Sequence, residues 1–177
     1  GVIWGSMIPS PLLSLPLFIL MSEVLVAAGL GRSLFSGLAP WVGRLPGGLM
    51  HVNVVGSTLF AAVSGSSAAT TAIVGKVSLP ELEARGYDRQ LAMGSLAGAG
   101  TLGFLIPPSI IMIIYGVVAE QSIMELFIAG VIPGLTLAGL YMAYIAGHQW
   151  ITGSQPRTEK PTLGELLSGV RDIGPVA

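Results

Sequence analysis

Apolar residues fall in long blocks along this chain, interrupted at a few points by glycine, proline, serine or a charged turn. The first block, residues 12–29, would be about 27 Å long as a helix, close to the thickness of a hydrocarbon core. Pro16 falls near its first turn, where a missing N–H costs little, and Gly29 and Gly31 close it. In residues 31–44, Leu34, Phe35, Leu38, Trp41 and Val42 recur at helical spacing between Arg32 and Arg44. That block is too short to span and predicts an amphipathic helix lying in the membrane interface, with Trp41 as its anchor.

The next unit, residues 47–80, is apolar from Leu49 to Val63, stops at Ser64-Gly65-Ser66-Ser67, and resumes from Ala68 to Leu79. Each half is short for a full crossing. A break of small polar residues between two short apolar halves predicts a re-entrant helical hairpin with its tip near the bilayer midplane.

Residues 90–118 are long enough to cross, yet Pro107-Pro108 sits in their interior. Proline 107 cannot donate to the carbonyl of Gly103, nor proline 108 to that of Phe104. Two adjacent losses predict a discontinuous helix with halves at 90–105 and 108–118. A short turn at Glu120-Gln121-Ser122 leads to a last span over 126–147, with Pro133 inside it. Residues 148–177 are polar and rich in Pro, Thr and Ser; Leu163, Leu166, Leu167 and Val170 suggest one surface helix there.

Composition sharpens this picture. Of the 177 residues, 52% are hydrophobic and only 10% charged, with 25 glycines, 12 prolines and no cysteine. Soluble domains carry about 25% charged residues. The balance excludes a disordered chain, a disulfide scaffold, a thiolate metal site and a basic nucleic-acid binder. The fold class expected is all-α, a polytopic helical membrane protein with a re-entrant hairpin and a discontinuous helix. Residues 1–147 form its membrane domain and 148–177 a cytoplasmic linker.

Charge then orients it. The basic residues are Arg32, Arg44, Lys76, Arg85, Arg89, Arg157, Lys160 and Arg171. If residues 49–79 made one continuous crossing, the basic loops on either side would face opposite compartments, against the positive-inside tendency. A hairpin places every basic residue in the cytoplasm and the acidic turn around Glu120 and Glu125 outside.

Each break bares two kinds of backbone group. A helix ending near Ser64 offers free carbonyls and a negative end, suited to a small cation; one starting near Ser67 offers free N–H groups and a positive end, suited to an anion. The proline break repeats the arrangement, with carbonyls from Gly103 to Leu105 and N–H groups near Ser109 to Ile111. Two such breaks meeting at mid-membrane would form a neutral oxygen cage for Na+ beside a seat for a carboxylate. Ser64, Ser66, Ser67, Thr101 and Ser109 can add hydroxyl oxygens. The breaks carry no Asp or Glu, which favours Na+ over a proton as coupling ion.

Simple close packing also accounts for small residues in a membrane helix, and Gly94, Gly98 and Gly103 favour it. Glu23, inside an apolar span, is a functional candidate by default, though a place near the cytoplasmic end also accommodates it. Headgroup-level positions are expected for His51, Asn53 and His148, and Lys76 lies near enough to the cytoplasmic end to snorkel. Two other functional classes compete. An intramembrane serine hydrolase would use Ser66 as nucleophile and would need His51 or His148 as its base; a passive scaffold subunit would use neither break.

Four stretches, LSLPLFILMSEVL, GRLPGGLMHVNVVGSTLFAAVSGSSAATTAIVG, LPELEARGYDRQLAMGSLAGAGTLGFLIPPSIIMIIYG and EQSIMELFIAGVIPG, resemble the large membrane subunit of the tripartite ATP-independent periplasmic (TRAP) transporters, within the broader ion-transporter superfamily. The resemblance runs over about residues 10–147, and the paired SGSSAA and LIPPS motifs make it specific. It implies a bacterial inner-membrane, Na+-driven, elevator-type importer of organic anions such as C4-dicarboxylates or sialic acid. A periplasmic binding protein would deliver the substrate, and a small membrane subunit would complete the permease. It further implies that this chain is the first of two inverted repeats of a longer protein, with spans before it and a second hairpin and broken helix after it. By the same resemblance Ser64, Gly65, Ser66, Gly103, Ile106 and Pro107 belong to a sodium site, and Ser66, Ser67, Ala68, Pro108 and Ser109 to one wall of the substrate site.

Overall fold

The computed structural model describes residues 14–153. The expected surface helix around Leu163–Val170 lies outside them, as do the first residues of the expected first span. Among the described residues eight helices follow one another: α1 (Ser14–Ala27), α2 (Leu30–Val42), α3 (His51–Ser64), α4 (Ser67–Ala84), α5 (Arg89–Gly100), α6 (Leu102–Leu105), α7 (Ile110–Val118) and α8 (Ile123–Thr152), with a 3-10 turn at Gly48–Met50 leading into α3. The described residues contain no strand, so the chain is all-helical there.

Local chemistry sets several of these boundaries. Asp88 caps α5, its carboxylate accepting from the N–H of Leu91 at 2.8 Å. Ser122 caps α8 by accepting from Glu125 N–H at 3.4 Å, with the glutamate at the third helical position, as a capping box requires. α8 runs past residue 147 to Thr152, where Gly153 at φ 59° ends it.

α3 and α4 form an antiparallel hairpin. Ser64 lies 3.0 Å from Thr70 across the tip, and Gly56 meets Val74 farther down. α3 is the buried centre of the bundle. Val52, Val54, Phe60 and Ala61 are all excluded from solvent, together with Leu82 of α4 and Leu102 of α6. α4 and the α5–α6 line interlock at three levels, each where a small residue faces a larger group. Leu96 fills the notch at Gly75, Thr71 the notch at Gly100, and the backbone of Ser67 lies against Gly103, where a Cβ would come within 2.7 Å.

Both arms of the hairpin open at the same end of the molecule. There the N–H of Leu49 donates to the Tyr87 hydroxyl at 3.1 Å, and Ile145 of α8 packs on Gly47. Arg44 and the charged segment from Glu81 to Arg89 are therefore at this end, and the Glu120–Ser122 turn is beyond the far end of α7. The ion pairs Arg85–Glu81 at 2.6 Å and Arg89–Glu83 at 3.1 Å are exposed, so they add little stability.

α8 is the one described helix long and apolar enough to cross a membrane alone; α5–α6 and α7 make up a second such length, bent by 42° at the proline break. Met124, Ile128, Ile132, Leu135, Leu140 and Tyr144 leave much of α8 apolar and exposed.

Three features differ from the sequence expectation. α2 does not give its apolar face to the interface: Phe35, Leu38 and Val42 are buried, Leu38 against Gly56 of α3, while Trp41 remains 52% exposed. Its periodicity reports packing on the hairpin. The broken helix resumes at Ile110 rather than at residue 108, because Ile106 and Ser109 both adopt extended backbone around the prolines. His51 and Asn53, expected at headgroup level, are 1% and 0% exposed inside the bundle.

Candidate functional site

The hairpin tip and the proline break are in direct contact. The N–H of Ile110, at the start of α7, donates to the carbonyl of Gly65 at 3.0 Å. Gly65 ends α3 at φ 62°, in the left-handed region, and a Cβ there would stand 2.5 Å from the carbonyl oxygen of Pro108. Backbone conformation and close approach thus both require glycine. Gly103 meets the tip from the other side, against the backbone of Ser66 and Ser67.

The tip is braced by its own hydroxyls. Ser64 and Thr70, both fully buried, share a hydrogen bond of 3.0 Å. The Ser64 hydroxyl also accepts from the N–H of Ser66 at 3.4 Å. Ser66 is the N-cap of α4, accepting from Ala69 N–H at 3.3 Å, and its carbonyl accepts from Thr70 N–H at 3.0 Å. The Thr71 hydroxyl donates to the Ser67 carbonyl at 2.8 Å.

At the proline break, Ser109 repairs part of what Pro108 removes. Its buried hydroxyl donates to the carbonyl of Phe104 at 2.9 Å, the group that would otherwise await an N–H from residue 108. Ile106 N–H closes on Leu102 O at 2.8 Å. Gly103 still lacks its helical donor, since residue 107 is proline, and the Leu105 carbonyl points at Gly130 of α8, where a Cβ would lie 2.6 Å away.

The backbone groups left over have opposite polarity. Of the last carbonyls of α3, that of Ala61 accepts from Gly65 N–H at 2.9 Å, while those of Ala62, Val63 and Ser64 have no partner within their helix. Of the first N–H groups of α4, Ala69 and Thr70 are taken by Ser66, which leaves Ser67 and Ala68 at a positive helix end. A negative and a positive helix terminus therefore stand side by side. The N–H of Ile110 and the carbonyl of Gly65 serve each other, which uses one of the two lone pairs of that carbonyl.

The candidate residues divide by depth. Ser64, Gly65, Gly103, Ile106 and Ser109 are buried, Ser66, Ser67, Pro107 and Pro108 are half-buried, and Ala68 is exposed. Among the described residues no group of three or more His, Asp or Glu side chains is placed to hold a metal ion. A cation at the tip would be held by neutral oxygens alone, a donor set that suits a monovalent alkali ion better than a divalent one.

Gly130 and Gly134 of α8 face Leu105 and Ile106, which places the junction about 10–16 Å along α8 from its start. Thr101, one turn before the break, donates to the Gly98 carbonyl at 2.7 Å and meets the Tyr141 hydroxyl of α8 at 3.2 Å. It is turned to α8 rather than to the hairpin tip.

The histidines lie elsewhere. His51 donates from Nε2 to the carbonyl of Pro46 at 2.7 Å, at the mouth of the hairpin and about 20 Å along α3 from the tip. His148 is near the end of α8, 3.3 Å from the Thr152 hydroxyl. Neither can act as base for Ser66. Asn53 is the polar residue whose place the sequence did not reveal. Its amide nitrogen donates to the Ala92 carbonyl at 3.2 Å and to the Ser95 hydroxyl at 2.8 Å, joining α3 to α5. The signal that could have found it is the apolar surround, since Val52, Val54 and Val55 leave it no polar neighbour in sequence.

Residues 3–171 match the family model described as tripartite ATP-independent periplasmic transporter, DctM component. The chain is similar to the C4-dicarboxylate TRAP transporter large permease protein DctM of Pseudomonas aeruginosa, 42% identical over 90% of this chain and 37% of that protein. It is also similar to the sialic acid TRAP transporter permease protein SiaT of Haemophilus influenzae, 38% identical over 91% of this chain and 26% of that protein. The ectoine TRAP transporter large permease protein TeaC of Halomonas elongata is 36% identical over 92% of this chain and 38% of that protein. These relatives are permease subunits rather than enzymes, and the chain spans well under half of their length.

Proposed function

The chain belongs to the DctM component family of the TRAP transporters, and on that premise we propose that it supplies half of the transport site of a Na+-coupled permease for organic anions. The observation that carries this reading is the junction of the two breaks, where Ile110 N–H meets Gly65 O at 3.0 Å. Near it the carbonyls of Ala62, Val63, Ser64 and Gly103, which lack a donor within their own helices, would offer oxygens to Na+, and the Ser67 and Ala68 N–H groups would offer donors to a carboxylate. Charge neutralisation between the two ligands gives the coupling: each lowers the cost of placing the other in a site with no side-chain charge.

The substrate is an organic acid of the kind carried by the relatives, a C4-dicarboxylate, sialic acid or a related small carboxylate. A periplasmic binding protein delivers it and a small membrane subunit completes the permease. The protein sits in the bacterial inner membrane with Arg44, Lys76, Arg85 and Arg89 toward the cytoplasm, and its hairpin is re-entrant. The second wall of the site comes from a second repeat, and the hairpin and broken helix travel together in an elevator movement.

The test is uptake by the complete permease in proteoliposomes. Replacing Na+ by K+ is expected to lower uptake to background, and Ser66→Ala to weaken Na+ activation by about 3–10-fold, since most of the ligands are main-chain oxygens. Uptake indifferent to the cation would refute the coupling.

A further inference from the structure

Asn53 is fully buried in the first turn of α3, and both hydrogen-bond donors of its amide are spent on α5: 3.2 Å to the Ala92 carbonyl and 2.8 Å to the Ser95 hydroxyl. The Ala92 carbonyl also accepts from Ser95 at 2.9 Å, so one amide completes a closed three-residue set. The amide oxygen has no protein partner. A buried amide with an unanswered acceptor works against stability. What such a group supplies in an apolar helix interface is alignment, because sliding either helix leaves its donors unmet as well.

α3 has need of it. α4 is keyed to the α5–α6 line by notches at Gly75, Gly100 and Gly103. On α5 the surface facing Asn53 is built from Ala92 and Ser95, with Ala99 a further turn along, small side chains that present little relief along the axis. Apolar contact alone leaves the axial position of α3 weakly determined there. Yet the far end of α3 must deliver the carbonyl of Gly65 to the amide of Ile110, and bring the Ser66–Ser67 backbone against Gly103.

We infer that Asn53 is a positioning residue: its amide sets the axial register of α3 on α5, and through α3 the placement of the tip carbonyls against the proline break. It touches neither ligand. The part of this inference that concerns ion binding rests on the proposed Na+ site; the part that concerns register does not.

The experiment compares the complete permease with its Asn53→Leu and Ser95→Ala variants. Asn53→Leu keeps the number and branching of the side-chain heavy atoms and removes the polarity, so its thermal midpoint is expected to stay close to that of the unaltered protein, the lost polar desolvation offsetting the bulkier methyl groups. Amide exchange in segments 62–70 and 104–113 is expected to speed up by about tenfold or more, above any change in the rest of the chain. The Na+ concentration for half-maximal uptake is expected to rise about fivefold or more. Ser95→Ala is expected to move both readouts in the same direction by less, and to add nothing in the Asn53→Leu background.

Unchanged exchange at both breaks in Asn53→Leu, or a uniform acceleration with a lower midpoint, would overturn the inference. If uptake by the unaltered permease proves indifferent to Na+, the functional reading fails while the exchange result still decides the role of Asn53.

Discussion

Ile110 and Gly65, the residues that open α7 and close α3, are joined by a backbone hydrogen bond of 3.0 Å across two helix interruptions. Each interruption would alone leave its backbone groups unanswered in an apolar interior, at several kcal/mol per group. By meeting, they answer one donor and one acceptor at the point where the two interruptions touch.

The closest approach in that junction concerns Gly65. Replacing it with alanine adds left-handed strain of about 1–3 kcal/mol and sets a methyl group against the Pro108 carbonyl, 2.5 Å away. Gly65→Ala is therefore expected to abolish uptake by the complete permease and to lower its thermal midpoint, read by uptake and by unfolding of the purified protein. Uptake at normal levels would show that the tip can separate from the break without consequence.

Ser64 and Thr70 test the brace. Ser64→Ala leaves the Thr70 hydroxyl buried without its 3.0 Å partner, a loss of about 1–3 kcal/mol. Thr70→Val removes the other side at similar expense. Because they share one bond, the double substitution is expected to fall short of the sum of the single effects by about 1 kcal/mol in denaturant or thermal unfolding. Strict additivity would mean that the two hydroxyls do not interact.

Sidedness can be read directly from single cysteines, since the chain has none of its own. Cysteines replacing Glu83 and Gln121, at opposite ends of the bundle, are expected to label with an impermeant thiol reagent from the cytoplasmic and external faces respectively. Labelling of both from one face would refute this topology, because the broken helix between them would then not cross.

Gly130 of α8 admits the Leu105 carbonyl and the Met112 side chain. Gly130→Leu is expected to force the proline break off α8, lowering the thermal midpoint of the complete permease by several degrees and weakening Na+ activation, whereas Gly139→Leu, at a position with open space around it, is expected to do neither. Equal effects of the two would show that α8 does not support the break.

The two interruptions were legible because their chemistry is local: a proline pair removes two donors wherever it is placed, and Ser-Gly-Ser-Ser divides an apolar run into halves too short to cross. Their contact was not legible in that way, since it depends on how α3 lies along α5. Asn53 and His51 were misplaced for a related reason. α3 is buried on nearly every side, so no polar face marks its orientation, and a polar residue near its start looks like one at the membrane surface. The apolar stripe of α2 was visible as a period, but a period does not say whether lipid or protein covers it; Gly56 on α3, a flat spot opposite Leu38, decides for protein.

The three seatings between α4 and the α5–α6 line, at Gly75, Gly100 and Gly103, are spaced along their length like teeth on a rack. A rack with filled teeth transmits force without slipping. Sliding α4 along the α5–α6 line by any fraction of a turn would drive Leu96, Thr71 and the Ser67 backbone out of their seats at once, so the two elements hold a single axial register.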